Sequence, residues 1–438
     1  MRKRIVAIAL AASAVAVGAQ APQQLGVRGR ANASVSLASA GRLVAAAWTA
    51  STPSGAMDVE IAVSRDGGMT FSPPVQVNKK SGSVRAGGEQ PPRIALIPKA
   101  NADPDVVVVW TSSGAVGTQL VFARSSDSAR TFSPESPVPG SDAPGNRGWE
   151  SVAVGPTGRV DVLWLDHRDI APMSGDMTHH MDHSASASTQ ADSVARAQLS
   201  KLYFATINGG PEDRPRAGSA AGKPLAAGVC YCCKTSVAAG ADGAIYATWR
   251  HVYAGNIRDI AFAMSKDGGA TFSAPVRVSE DKWAIDGCPE NGPSVAVGSR
   301  NTVHVAWPTF MPTSNGAGTL GLFYAESRNG RTFTPRQTIP SAGVPRHVQL
   351  VARGDGSLAL AWDEAEGSGR RIAFARGIRA ADGTIAFRRD VLTALAAASY
   401  PAIVAVPQGV LVAAATGGDT DSVIRFTIVR DPLAAGKR

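Results

Sequence analysis

Cysteine is scarce in this sequence, with four in 438 residues. Three of them fall in the stretch GVCYCCKTSV at 228–237 and the fourth is Cys288, so they are not a framework spread through the chain. After residue 19 there is no run of about 18 apolar residues, which excludes a helix that spans a bilayer in the mature chain. Dense Lys/Arg runs are missing too. The formal net charge is +9, and it falls to +6 without the three charges of Arg2, Lys3 and Arg4. A balance that mild carries no nucleic-acid footprint and leaves room for weak attraction to anionic glycans. Helical patterns are almost lacking. Only ADSVARAQLSKL at 191–202 has one.

The N-terminus has the layout of a secretory signal peptide: a basic start, an apolar run from Ile5 to Val17, then Val17-Gly18-Ala19, which fits small-x-small cleavage after Ala19. The expectation is a soluble, monomeric, periplasmic or secreted protein formed by residues 20–438, in an oxidising compartment where cysteines tend to pair.

Repeats dominate the rest. SRDGGMTF (64–71), SSDSARTF (125–132), SKDGGATF (265–272) and SRNGRTF (327–333) share S-x-D-x-G-x-T-F, the second with Ala129 in the glycine place and the last with Asn329 and one residue fewer. Short Ser, Asp and Thr side chains can bond the backbone of a tight turn, glycine supplies a positive φ, and the closing Phe anchors the turn. A longer unit repeats around these turns. Its first strands are ASVSLA (33–38), PRIALI (92–97), ESVAVG (150–155), TSVAAG (235–240), PSVAVG (293–298), VQLVAR (348–353) and PAIVAV (401–406). Its second strands end at Trp48, Trp110, Trp164, Trp249, Trp307 and Trp362, and near Ala415 in the seventh unit. Short strands at this period predict an all-β propeller of four-stranded blades, seven by this count and six if one unit is irregular. A strand near Leu25–Arg28 would supply the fourth strand of blade 7 and close the ring.

The turn motif is the Asp-box, or BNR repeat, and the chain resembles the sialidase superfamily of propellers. The resemblance implies a glycoside hydrolase with three arginines on the sugar carboxylate, a tyrosine nucleophile with a Glu partner, and an Asp acid/base. Carried to this chain, it points to Arg93, Arg168, Arg258 and Arg346 as substrate-binding residues, with Arg250 a further arginine of the same kind. Tyr400 matches the late tyrosine, Glu150 or Glu364 its partner, and Asp166 or Asp103 the acid. DHRDI (166–170) and NIRDI (256–260) would place Arg168 and Arg258 alike.

Two features lie outside that resemblance. Residues 166–190 interleave Met173, Met177 and Met181 with His179, His180 and His183, beside His167, Asp176 and Asp182. Thioether and imidazole together suit copper. Aligning units four and five on Ser236 and Ser294 sets Cys230 opposite Cys288, so Cys230, Cys232, Cys233 and Cys288 should cluster where those blades meet. Disulfides between adjacent blades and a copper or zinc site are both open. Three functions follow from these readings: a propeller that binds or hydrolyses glycans, possessing or lacking exo-α-sialidase activity; a non-enzymatic copper-handling propeller; and a protein-binding scaffold with structural disulfides.

Overall fold

The structure is a computed structural model that describes residues 23–170, 190–208, 222–285, 287, 289–312, 318–367, 369–418 and 420–431. Residues 1–19, where a signal peptide is expected, the Met/His stretch (Met173, Met177, Met181, His179, His180, His183) and Cys288 lie outside the described residues.

Seven antiparallel sheets form the molecule. Their inner strands are Ala31–Ala40, Arg93–Lys99, Arg147–Val154, Ser236–Ala239, Ser294–Val297, Val344–Ala352 and Ala398–Val406. Each packs beside the next and the seventh packs beside the first, so the sheets are blades around a channel. Blade 7 is completed by the N-terminal strand Gln23–Leu25, which pairs with Val423–Arg430 and ties the two ends of the ring together. Blade 2 holds an added short strand, Val84–Arg85, paired to its second strand. The short helix expected at 191–202 runs over Gln190–Leu199, because Lys201 already enters the third strand of blade 3.

The six tryptophans of the second strands are at most 1% exposed and fill the space between blades. Truncating any one to Ala should cost about 3–5 kcal/mol. The indole also needs a hydrogen-bond acceptor. Trp164 donates to Asp166 Oδ2 (3.1 Å) and Trp362 to Glu364 Oε2 (3.1 Å), each acceptor two residues further along the same strand.

The S-x-D turns repeat one bonding pattern. Ser64 Oγ donates to Asp66 Oδ1 (2.7 Å), Thr70 Oγ1 to Asp66 Oδ2 (2.5 Å), and the Gly68 amide to Ser64 Oγ (2.8 Å). Asp127 receives Ser125 and Thr131 in the same way. The closing phenylalanines anchor between blades. Phe71 meets Phe426 of blade 7, Phe272 meets Phe204 of blade 3, and Phe333 meets Phe262 of blade 4, all edge-on at 5.1–5.2 Å. Glycine is required in the turn for two reasons. Gly269 has φ +88°, and a Cβ there would sit 2.3 Å from the Phe204 ring of the preceding blade.

Candidate active site at the channel mouth

Four inner strands carry a β-bulge at the same place, between Ala33 and Ser36, Gly148 and Ser151, Arg346 and Gln349, and Ser399 and Ala402. Their bulged residues Ser34, Trp149, His347 and Tyr400 all have φ between +52° and +55°. A bulge re-aims a side chain, and non-glycine residues at positive φ gather at functional sites. The strand register places Lys234 of blade 4 at the corresponding position: Ser236 pairs Thr248 as Ser151 pairs Leu163. Together these side chains ring the channel mouth.

His347, Tyr400, Lys234, Glu89 and Arg93 line a recess of about 80 Å³ there. The His347 and Tyr400 rings stack at 3.9 Å. Asp363, fully buried, bonds His347 Nδ1 at 2.7 Å and accepts the Tyr400 amide at 3.2 Å; Arg370 is paired to its other oxygen. Burial lowers His347 to about 4, so its imidazole is neutral near neutral pH. With Nδ1–H directed at Asp363, the Nε2 lone pair is left, and Nε2 has no protein partner among the described residues. Burial, then Glu290 and Glu89, raises Tyr400 to about 12 against the opposing charges of Arg370 and Arg346, so its phenol keeps its proton.

Glu89 closes the channel beneath this group. Its carboxylate accepts the amides of Lys234 (2.9 Å) and Gly292 (3.1 Å), which reach it from blades 4 and 5. Lys234 Nζ crosses to the carbonyl of Val348 in blade 6 (2.6 Å). Burial lowers its ammonium to about 8.

The sequence-predicted residues divide between this group and others. Tyr400 and Arg346 belong to it, and Arg93 lines its recess, donating to the carbonyl of Glu150 (2.7 Å). Glu150 does not partner Tyr400. It is buried, accepts from Thr111 Oγ1 (3.0 Å), and is raised to about 7 by burial. Asp166 is not a free acid. Arg147 (3.0 Å), Arg168 (2.7 Å) and the Trp164 indole occupy its oxygens. Burial alone would raise its pKa, and those donors lower it overall, so it holds no proton to give. Arg168 therefore serves Asp166 and lies over the Tyr203 ring (4.3 Å), and it is not among the residues that line the recess. Arg258 does not match it in place: fully buried, it donates to Cys230 Sγ at 3.2 Å. Arg250 donates to the carbonyls of Asn291, Pro308 and Arg258. Glu364 is held by Trp362, Arg371 and Arg389, and Asp103 by Arg65 and Ser128 on the outer surface.

Asp363, His347, Lys234, Glu89, Glu290 and Arg370 were missed from the sequence. A signal for His347 and Lys234 exists. Each stands two residues before the strand position shared by Ser151, Ser236 and Gln349, as Tyr400 stands two before Ala402.

Cys230, Cys232 and Cys233 are buried together with their sulfurs within 4.8 Å of one another. Sulfurs this close suit a metal, but Cys232 is disulfide-bonded and offers no thiolate, whereas Cys230 and Cys233 are free. Two thiols fall short of the four donors of a structural zinc site. Of the expected copper or zinc set Cys230, Cys232, Cys233 and Cys288, two free thiols stand among the described residues, and the disulfide at Cys232 agrees with the other reading left open, a structural disulfide.

No sequence family matches the chain, and no curated protein matches it. Solved structures do. An ulvan lyase of polysaccharide lyase family PL25 is similar over 94% of this chain and 94% of its own, at 11% identity and TM-score 0.54. A GH93 α-L-arabinofuranosidase of Fusarium graminearum in complex with arabinobiose is similar over 93% of this chain and 97% of its own, at 12% identity and TM-score 0.52. A microbial sialidase, Hz136, is similar over 86% of this chain and 73% of its own, at 13% identity and TM-score 0.45. Blade count, closure and the likenesses to the lyase and the arabinofuranosidase agree on the fold: the chain is a seven-bladed β-propeller.

Proposed function

We propose that the channel mouth binds an acidic glycan and cleaves it by acid–base chemistry, with Arg346 and Arg370 facing the sugar carboxylate. The observation that carries this reading is the His347–Tyr400 stack backed by Asp363, with both arginines close enough to act on the phenol. Solved structures of the same fold include a lyase bound to a glucuronate-containing glycan and an arabinofuranosidase bound to arabinobiose, which supports a glycan ligand.

The group suits β-elimination best. A neutral imidazole directed by Asp363 takes the proton next to the sugar carboxylate. The two guanidiniums stabilise the charge that develops there, and the protonated phenol of Tyr400 supplies the leaving oxygen with a proton. Hydrolysis by paired carboxylates needs two acids free to act. Here Glu89 accepts backbone amides and Asp363 holds His347 and Arg370, so neither is free to act.

The test is incubation with uronate-containing polysaccharides, following ultraviolet absorbance and new reducing ends together. Elimination gives both, through the unsaturated product. Reducing ends without absorbance would assign hydrolysis, with Glu290 next to be varied. Absence of binding to every acidic glycan would remove the reading. Tyr400→Phe and His347→Ala should each lower the rate by about 10²–10⁴-fold.

A further inference from the structure

A groove of about 800 Å³ opens between blades 5 and 6, on the face opposite the channel mouth. Strand direction fixes its place. Arg346 and His347 begin the inner strand of blade 6, and the groove is built on the turn that ends that strand, from Ala352 to Leu358. At about 3.3 Å per residue, His347 and Arg353 stand about 20 Å apart. Blade 5 contributes the same turn, Gly298 to Thr302, and Arg328 of its Ser-x-Asn turn. The groove has the size of a saccharide site, which the recess at the mouth alone does not.

Four arginines line it. Arg353 is held by Asp431 (2.9 Å), and Arg379 by Glu326 (2.5 Å) and the Gly383 carbonyl (2.7 Å). Arg300 and Arg328 are exposed and have no hydrogen bond or ion pair among the described residues. Behind them His304, only 4% exposed, lines the groove from the second strand of blade 5. Tyr324 Oη donates to Glu326 Oε2 (2.8 Å), so it accepts from His304 Nδ1 (2.7 Å). The proton is then on Nδ1, and Nε2 is left with its lone pair. Burial keeps this imidazole neutral near neutral pH. Gly298 has an extended backbone, φ −91° and ψ −170°, that any residue adopts, yet a Cβ there would stand 2.6 Å from Nε2. The glycine keeps the space before the ring open. Blade 3 closes the same place. Asp161 stands opposite Ala153 as His304 stands opposite Ala296, and Arg159 covers it with two bonds (2.7 and 2.9 Å). Blade 5 has Thr302 where blade 3 has Arg159.

We propose that this groove is a second binding site for an acidic saccharide, with Arg300 and Arg328 on its carboxylate or sulfate and His304 Nε2 and Asp355 accepting its hydroxyl groups. Unpaired guanidiniums match either oxyanion in a bidentate fork. Buried acceptors beside them select a ligand that brings donors as well as charge, as a sugar does. Ile378, 61% exposed, offers an apolar surface to the ring carbons. Single-stranded nucleic acid, another polyanion, stacks its bases on aromatic rings, and no Phe, Tyr or Trp lines the groove. The inference rests on the reading of the channel mouth for the class of ligand alone, and it assigns binding without chemistry.

Calorimetric titration of the full chain tests it, at physiological ionic strength and in the Tyr400→Phe background to slow cleavage. The probes are trigalacturonate, which carries carboxylates, and the trisulfated disaccharide of heparin. Both are too short to occupy the two faces at once. Two molecules of at least one probe should bind per chain. Arg300→Asn with Arg328→Ser should weaken one of the two by about tenfold or more and leave the thermal midpoint unchanged; asparagine suits the positive φ of Arg300. The probe affected tells carboxylate from sulfate. Arg42→Ser with Arg130→Ser removes two exposed charges from the same face in blades 1 and 2, and an equal loss there would reduce the effect to net charge and overturn the proposal. A single site that survives the Arg300 and Arg328 changes would overturn it and keep the channel mouth. A single site lost with them would keep the groove and remove the reading of the mouth. Binding of neither probe, or of octathymidylate in their place, would overturn it.

Discussion

Blades 3 and 6 are built on one device and differ in what they add to it. Both place a tryptophan on the second strand, Trp164 and Trp362, with a carboxylate two residues on, Asp166 and Glu364. Both carboxylates are fully buried and each is held by the indole and two arginines: Arg147 and Arg168 in blade 3, Arg371 and Arg389 in blade 6. The neighbouring positions differ. Where blade 3 has Gly148 opposite Leu165, blade 6 has Arg346 opposite Asp363, and the bulged residue is Trp149 in the one and His347 in the other. Side chains alternate along a strand, so Asp166 and Glu364 point one way and Leu165 and Asp363 the other. The conclusion is that charge alone does not identify a reactive group in this propeller. The buried ion-paired acids after tryptophan belong to the fold, and the acid one residue earlier in blade 6 belongs to the channel mouth.

Replacing Asp363 by the blade 3 residue gives the largest expected effect. Asp363→Leu leaves His347 without its Nδ1 partner and Arg370 without its counter-ion. It should lower stability by about 3 kcal/mol in denaturant unfolding, and abolish glycan turnover. If turnover survives, His347 is not the base. The next largest effect separates the paired devices. Asp166→Asn and Glu364→Gln should each destabilise by about 2 kcal/mol, since each weakens a charge-assisted network. Asp166→Asn should leave glycan affinity unchanged, and a large loss of affinity would return Asp166 to the site.

A pH experiment compares the blades more gently. Burial lowers both His167 of blade 3 and His347 of blade 6 to about 4, whereas an unfolded chain protonates histidine near 6.5. A depressed histidine pKa means the unfolded state binds the proton better. Stability from each is therefore complete above about pH 6.5 and is lost as pH falls toward 4. His347→Gln and His167→Gln should each flatten the pH dependence of the unfolding midpoint across that window. Equal acid sensitivity in wild type and both variants would mean that other groups set it. Tyr400→Phe should have the smallest effect on stability, within about 1 kcal/mol, because no hydrogen bond is assigned to the phenol and the His347 stack is kept.

Much of the fold was legible in the sequence because its causes are local. The Ser64–Asp66–Thr70 turn writes its own hydrogen bonds within seven residues. The tryptophans recur on the second strand of six of the seven blades, and the inner strands align on one pattern. Tyr400 and Arg346, read from the sequence as residues at the start of an inner strand, lie near one another in the candidate site for the same reason. Glu150 and Asp166 were misplaced because a carboxylate in sequence does not show which neighbours reach it across a blade. The closing Phe was legible as the anchor of the turn, and the structure adds that its ring packs on the preceding blade.

By itself, then, the sequence determined a repeating all-β unit; it counted seven copies with six left open, and it pointed to a closing N-terminal strand near Leu25, which runs over Gln23–Leu25. These follow from turn chemistry, strand alternation and a period, all properties of neighbouring residues. Only the tertiary structure decided that Glu89 of blade 2 meets amides of blades 4 and 5, that His347 stacks on Tyr400, and that Arg258 donates to the Cys230 sulfur. Ring closure brings together residues 390 positions apart, as in the bond from Asn32 to the Ser422 carbonyl. Burial then sets which of them hold a proton, and neither effect is written in any local stretch of the chain.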